Sequence, residues 1–97
     1  MSRAILGVCT IELGMDGVYS LKEKRSIIQP LIRRLQSEFN ASVAEIEDLD
    51  SWNSAVIAAA VVGNDSQYVN SVLSKIADWV ETQGRDVEVL DHTIEIF

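Results

Sequence analysis

The sequence predicts a single α+β domain, covering residues 1–97, with the element order βαββαβ. Two apolar runs, 3–13 and 55–62, have the Ile, Leu and Val content of buried strands. Two other stretches carry apolar residues at the spacing of amphipathic helices, and 41–47 and 87–97 alternate as strands do. Right-handed crossovers on this order give a ferredoxin-like two-layer sandwich: a four-stranded antiparallel sheet, strands 1 and 3 central, with two helices on one face.

The first helix is expected to run from Leu21 to about Phe39. Ser20 and Glu23 have capping-box spacing before it, and Asn40 is a suitable stop after it. Pro30 lies inside this helix, where a missing N–H and a steric clash cost ~3 kcal/mol. Because the apolar face keeps its phase across the proline, we expect one kinked helix rather than two. That face comprises Leu21, Ile28, Leu31, Ile32, Leu35 and Phe39.

The second helix is expected to begin after Asp65 or Ser66 and to stop at Gly84. Its apolar positions are Val69, Val72, Leu73, Ile76 and Val80. The last strand alternates but changes phase near Leu90 and Asp91, which predicts a bulge or a break there.

The charge balance argues against several partners. The chain has 15 acidic and 8 basic residues, a net charge of −7. Such a protein is repelled by DNA and by anionic membranes, so we expect neither as a partner. Its only cysteine, Cys9, lies in an apolar run and is interpreted as a small buried hydrophobe rather than a redox group. We expect a cytoplasmic protein without a metal or a cofactor.

Strand 3 is apolar at odd and at even positions. A sheet with one wet face should instead show polar residues at every second position. We therefore expect the open sheet face to be covered by a second copy of the chain, as a twofold homodimer. The alternative is an exposed face of small residues. The candidate interface residues are Trp52, Ala55, Val56, Ile57, Ala58, Ala59, Ala60 and Val61.

The positive charge is concentrated in the first helix. Residues 20–39 contain five basic and two acidic residues, a net charge of +3, against −10 for the rest of the chain. Several of these cations lie at a helix N-terminus, which already favours anions. The alternative is a solvated face that balances an acidic neighbour. The candidate residues for binding an anion or RNA are Ser20, Lys22, Lys24, Arg25, Arg33 and Arg34.

Several segments together resemble the YlxP-like family of small bacterial proteins, a domain of unknown function. They are SLKEKR at 20–25, LIRRLQSEFN at 31–40, SVAE at 42–45, Asp50 with Trp52, and VVGND at 61–65. The resemblance implies a small, cytoplasmic, ferredoxin-like protein with a ribosome-linked role, because genes of similar proteins often lie beside translation-initiation and ribosome-maturation genes. It supplies no catalytic residue, and Pro30 departs from the family's usual helix-forming residue.

The leading interpretation is a non-enzymatic binding module that contacts RNA or a ribosomal partner through the basic helix. One alternative is a regulatory dimer that senses a small molecule. Another is an acylphosphatase-like hydrolase, with the loop Gly14–Val18 as a phosphate cradle; this loop contains no arginine, and Asn53 is only a loose match for a water-positioning amide.

Overall fold

The computed structural model describes residues 3–83 and 85–97 and has the predicted element order. The four strands form one antiparallel sheet in the order β2-β3-β1-β4, so the first and third strands are central, as predicted. The expected helix stop at Gly84 lies outside the described residues. The elements are β1 Ile5–Gly14, α1 Leu21–Phe39, β2 Ser42–Glu47, β3 Ser54–Gly63, α2 Ser66–Gln83 and β4 Glu88–Ile96.

Both predicted ends of α1 and the predicted start of α2 are confirmed by their caps. The Ser20 hydroxyl accepts a hydrogen bond from the Glu23 amide at 3.1 Å, and Asn40 ends α1 in the left-handed conformation. α1 is one helix with Pro30 inside it, as expected. At α2, Asp65 is the cap, because its carboxylate accepts from the Tyr68 amide at 3.3 Å. Neither described helix is long and apolar enough to cross a membrane.

Both helices cover the same face of the sheet. The odd-numbered side chains of β1 and β3 are buried in the core with the apolar faces of the helices. The contact with α2 is close at Gly7, where an added Cβ would lie 2.6 Å from side-chain atoms of Leu73 and Val69. A larger residue at Gly7 would push the helix away, so glycine permits the two layers to approach. The even-numbered side chains occupy the opposite, open face.

A β-bulge in β4 explains why the alternating pattern changes phase in the last strand. Glu12 of β1 pairs with Asp91 of β4, and the next residue of β1, Leu13, pairs with Val89. Leu90 is therefore the extra residue, at the position where the alternating pattern fails. The structure confirms the bulge and keeps β4 as a single strand.

Candidate functional site

One exposed face of α1 carries three of the predicted anion-binding residues. Lys22, Arg25, Gln29 and Arg33 are all exposed and follow one another at spacings of three, four and four residues. At 1.5 Å per residue, the line from the first to the last is about 16 Å long. We call these four residues the α1 stripe. Its length and its side chains suit an extended polyanion better than a single small anion.

Ser20 has a structural role at the start of the same helix. Its hydroxyl oxygen satisfies the Glu23 amide, one of the N–H groups that a helix leaves without an internal partner. The first turn of α1 follows the loop from β1. The cap fixes this turn, and with it the position of Lys22. The loop is itself attached to the β2–β3 connection, because the Met15 amide donates to the Asn53 carbonyl at 2.9 Å.

Lys24 is enclosed rather than exposed, which corrects its assignment to the anion-binding surface. Its side chain is 1% exposed, and its Nζ lies 2.8 Å from Glu45 Oε2. The same Nζ donates a hydrogen bond of 2.6 Å to the carbonyl oxygen of Asp48. Glu45 Oε2 accepts no well-aligned hydrogen bond from the described residues, so the contact with Glu45 is a charge pair. Lys24 connects the first turn of α1 to the end of β2.

The geometry of β2 explains this ion pair. Val43 and Glu45 are two residues apart, so both point to the helix side of the sheet. Lys24 lies on the apolar face of α1, with Ile28 and Leu31 one and two turns later. A buried cation requires an acidic partner, and Glu45 is placed to provide it. The sequence signal was a lysine on an apolar face together with a glutamate in phase with Val43.

The Lys24 contact also fixes the β2–β3 connection. Asp48 adopts a left-handed conformation with φ of 62°, and its carbonyl accepts from the Ser51 amide as well as from Lys24. The carboxylate of Asp48 accepts a hydrogen bond of 3.2 Å from the Ser54 hydroxyl. Trp52 projects from this closed turn with 52% of its surface exposed. It is therefore a surface aromatic, and its part in an interface stays a prediction.

Arg34 contacts an aromatic pair instead of joining the α1 stripe. Its guanidinium carbon lies 4.9 Å from the centre of the Trp79 ring, a cation–π distance. Trp79 in turn meets Phe39 edge to face, with ring centres 6.1 Å apart. Arg34 therefore connects α1 to α2, and its role as an anion ligand stays a prediction.

The candidate interface residues of β3 divide between the two sheet faces. Ala55, Ile57, Ala59 and Val61 belong to the core cluster beneath the helices, so they cannot form an outer interface. This corrects half of that prediction, and its reason is the strict alternation of side chains along a strand. The even-numbered residues remain on the open face: Val56, Ala58 and Ala60, followed by Val62.

A cleft of about 190 Å³ lies between α1 and the chain that follows α2. Pro30 forms part of its wall, and Pro30 has no N–H to donate to the Ser26 carbonyl one turn earlier. The lining of the cleft combines apolar residues with two arginines, Arg34 and Arg85, and one acidic residue, Asp86. Its lining residues are Ser26, Ile27, Pro30, Leu31, Arg34, Gln83, Arg85, Asp86 and Val87.

Cys9 lies in the core, as interpreted from the sequence. Its side chain is fully buried, and this desolvation raises the pKa of the thiol to about 11. At neutral pH the thiol is protonated and thus a poor nucleophile. In residues 3–83 and 85–97, no three His, Cys, Asp or Glu side chains cluster in a way that could hold a metal ion.

The fold and its open face define a ferredoxin-like α+β sandwich, and comparison with solved structures agrees. The de novo designed protein Foldit4 superimposes with a TM-score of 0.55 at 10% identity, covering 98% of this chain and 97% of the design. A second design described as having a ferredoxin fold, LFR1 1, gives a TM-score of 0.53 at 16% identity, covering 100% of this chain and 84% of the design. At such identities the likeness concerns the fold alone.

Sequence comparison then gives the family. Residues 6–94 match the family described as "Protein of unknown function (DUF503)", and the chain belongs to it. The chain is also similar to "Uncharacterized protein YlxP" of Bacillus subtilis (strain 168), with 29% identity over 78 residues, or 80% of this chain and 85% of that protein. The resemblance seen in the sequence is thereby confirmed.

Proposed function

We propose that the protein is a non-enzymatic binding module that contacts the phosphates of RNA, free or in a ribosomal particle, through the α1 stripe. The observation that carries this proposal is the line of three exposed cations, Lys22, Arg25 and Arg33, on a chain whose net charge is −7. Such contacts position a protein on a nucleic acid without reading its bases.

The charge distribution supports a single orientation of docking. Outside residues 20–39 the chain contains thirteen acidic residues and only three basic ones. This part of the chain therefore repels a polyanion. Attraction is confined to the helix side of the molecule, where the α1 stripe lies. The open sheet face is an unsuitable RNA platform, because the central strands lack the aromatic side chains on which bases stack.

The affinity is expected to be modest and sensitive to salt. Three phosphates neutralised on a single strand give a slope of about −2 for the logarithm of the association constant against the logarithm of salt concentration. Lys24 adds nothing to this slope, because its charge is enclosed and paired with Glu45.

The test reverses the charge of the α1 stripe and compares it with a matched control. The variant Lys22→Glu/Arg25→Glu/Arg33→Glu changes the net charge by six. The control Arg3→Glu/Lys75→Glu/Arg85→Glu makes the same change at three exposed residues outside the stripe. In a gel shift with labelled single-stranded RNA at low salt, we expect the stripe variant to lose binding and the control to retain most of it. Equal loss in both, or unchanged binding in the stripe variant, would contradict the proposal.

The cleft beside Pro30 favours a second candidate, the sensing of a small molecule. Arg34 and Arg85 could hold a carboxylate or a phosphate of the ligand there. An apolar group of the same ligand would contact Ile27, Leu31 and Val87. A thermal-shift screen of amino acids and nucleotides tests this candidate. A stabilising ligand whose effect disappears in Arg85→Ala would support it, and no shift with any of them would count against it.

A further inference from the structure

We infer that the cleft beside Pro30 accommodates one base of the bound RNA, and that the base it selects is guanine. This selection rests on the proposed function, since the α1 stripe must hold the phosphates of the strand. The lining of the cleft contains two arginines and one aspartate, a net charge of +1, so the cleft does not repel that strand.

The wall of the cleft borders the α1 stripe. Ser26 of the wall follows Lys22 by four residues, and this spacing makes the two residues neighbours on a helix surface. Pro30 of the wall precedes Arg33 by three residues, which has the same effect. A strand whose phosphates lie on the α1 stripe therefore passes the opening of the cleft.

The shape and lining of the cleft suit a single base. Its volume of about 190 Å³ is below the roughly 300–1,000 Å³ of sites that enclose a drug-sized ligand. The buried and half-buried lining residues are all apolar: Ile27, Pro30, Leu31 and Val87. The polar lining residues are all exposed: Ser26, Arg34, Gln83, Arg85 and Asp86. An apolar floor below a polar rim receives the faces of a base and leaves its edges to hydrogen bonds.

Arg34 offers a plane on which the base can stack. Its guanidinium carbon lies 4.9 Å from the centre of the Trp79 ring, and Arg34 also lines the cleft. The contact with Trp79 restrains one face of the guanidinium and leaves the other face for a base. Unstacked RNA bases are commonly held in this way, against the plane of an arginine.

Arg85 and Asp86 provide hydrogen bonds that match guanine. In residues 3–83 and 85–97, the only ion pair is that of Lys24 with Glu45, so the charges of Arg85 and Asp86 are available to a ligand. A carboxylate accepts two hydrogen bonds, and a guanidinium donates two in a fixed fork. Of the four bases, only guanine carries two adjacent donors, N1–H and the N2 amino group, which suit Asp86. The O6 and N7 atoms of guanine accept from an arginine.

The base preference is measured by fluorescence anisotropy at low salt, with short labelled oligouridines. Three oligomers differ only at the central position, which holds guanine, adenine or no base. We expect the unmodified protein to bind the guanine oligomer about tenfold more tightly than the other two, since a good bidentate pair discriminates by about this factor. Equal affinities for the guanine and adenine oligomers would overturn the inference.

A matched pair of variants tests the part of Asp86. Asp86→Asn removes one of the two acceptors and should abolish the preference for guanine. Asp78→Asn makes the same change at an exposed position of α2 outside the cleft, and should keep the preference. Both variants lose one negative charge, so the ratio of the two affinities is compared. A preference that persists in Asp86→Asn would overturn the inference.

Oligouridine without guanine separates base selection from phosphate binding. The stripe variant and its control are compared on this oligomer, because the control changes Arg85, a cleft residue. Loss of binding in the stripe variant alone, without a guanine preference in the unmodified protein, would overturn base selection and leave the proposed function standing. Unchanged binding in the stripe variant would overturn both.

Free guanosine monophosphate distinguishes an RNA base from a free nucleotide. As a competitor it should displace the guanine oligomer only in large excess, because it occupies the cleft without spanning the α1 stripe. Displacement at equal concentration would assign the cleft to a free nucleotide and overturn its assignment to RNA.

Discussion

Lys24 shows how strongly the environment of one residue determines its role. In sequence it is one of three cations in the first turn of α1, between Lys22 and Arg25. In the structure its neighbours stay in solvent, while Lys24 is enclosed between α1, Glu45 of β2 and the carbonyl of Asp48. The paired charges are costly to desolvate, and their attraction offsets this cost only while both partners are present. Through these two contacts Lys24 holds the first turn of α1, where the α1 stripe begins, against the end of β2.

Removing one partner of this pair should destabilise the protein more than removing both. We expect Lys24→Met to lower the free energy of unfolding by about 2–4 kcal/mol, because Glu45 would be left largely buried without its cation. Glu45→Leu together with Lys24→Met should recover much of this loss. Urea unfolding of the two single variants and the double variant measures the coupling, and fully additive effects would contradict the account of the pair.

α1 persists as one helix in spite of Pro30 because its packing outweighs the local defect. Ile28, Leu31 and Leu35 are buried on the same face, two of them after the proline. In proteins most helical stability comes from such packing and not from the propensity of single residues. The α1 stripe depends on this continuity, because Arg25 and Arg33 lie on opposite sides of Pro30 along the chain.

Replacing Pro30 should stabilise the protein. Pro30→Ala restores the N–H that can bond the Ser26 carbonyl and removes the clash of the ring, so we expect a gain of about 1–3 kcal/mol. The loss of some ring contacts at the cleft limits the gain. Gln29→Ala, at the exposed neighbour, serves as the control and should change the stability little. Thermal unfolding gives the comparison, and a Pro30→Ala variant less stable than the original protein would contradict this reasoning.

At the scale of the whole molecule, the two surfaces have opposite characters. The helix side carries the α1 stripe, while the open sheet side combines small and apolar residues of β1 and β3 with acidic residues, most of them on β4.

The sequence predicted the fold well because apolar periodicity and caps are local signals. The cap at Ser20 and the stop at Asn40 were predicted correctly from neighbouring residues, and of the bulge or break predicted near Leu90 and Asp91 the structure shows the bulge. The helical spacing places Lys24 near the apolar face of α1. Its pairing with Glu45 and the contact of Arg34 with Trp79, however, depend on elements distant in sequence, which a local pattern does not report. The apolar run of β3 has no polar alternation, so the sequence alone does not show which of its residues face the helices. The pairing of β3 with β1 shows it.

The most direct test of the central claim is a titration of the ¹⁵N-labelled protein with single-stranded RNA, followed by amide chemical shifts. Binding through the α1 stripe predicts perturbed amides in α1 around Lys22, Arg25, Gln29 and Arg33. The amides of β4, whose open face is acidic, should be unaffected. These perturbations should weaken as salt is raised, since the contacts are to phosphates. Perturbations confined to the open sheet face, or none at low salt, would contradict the claim.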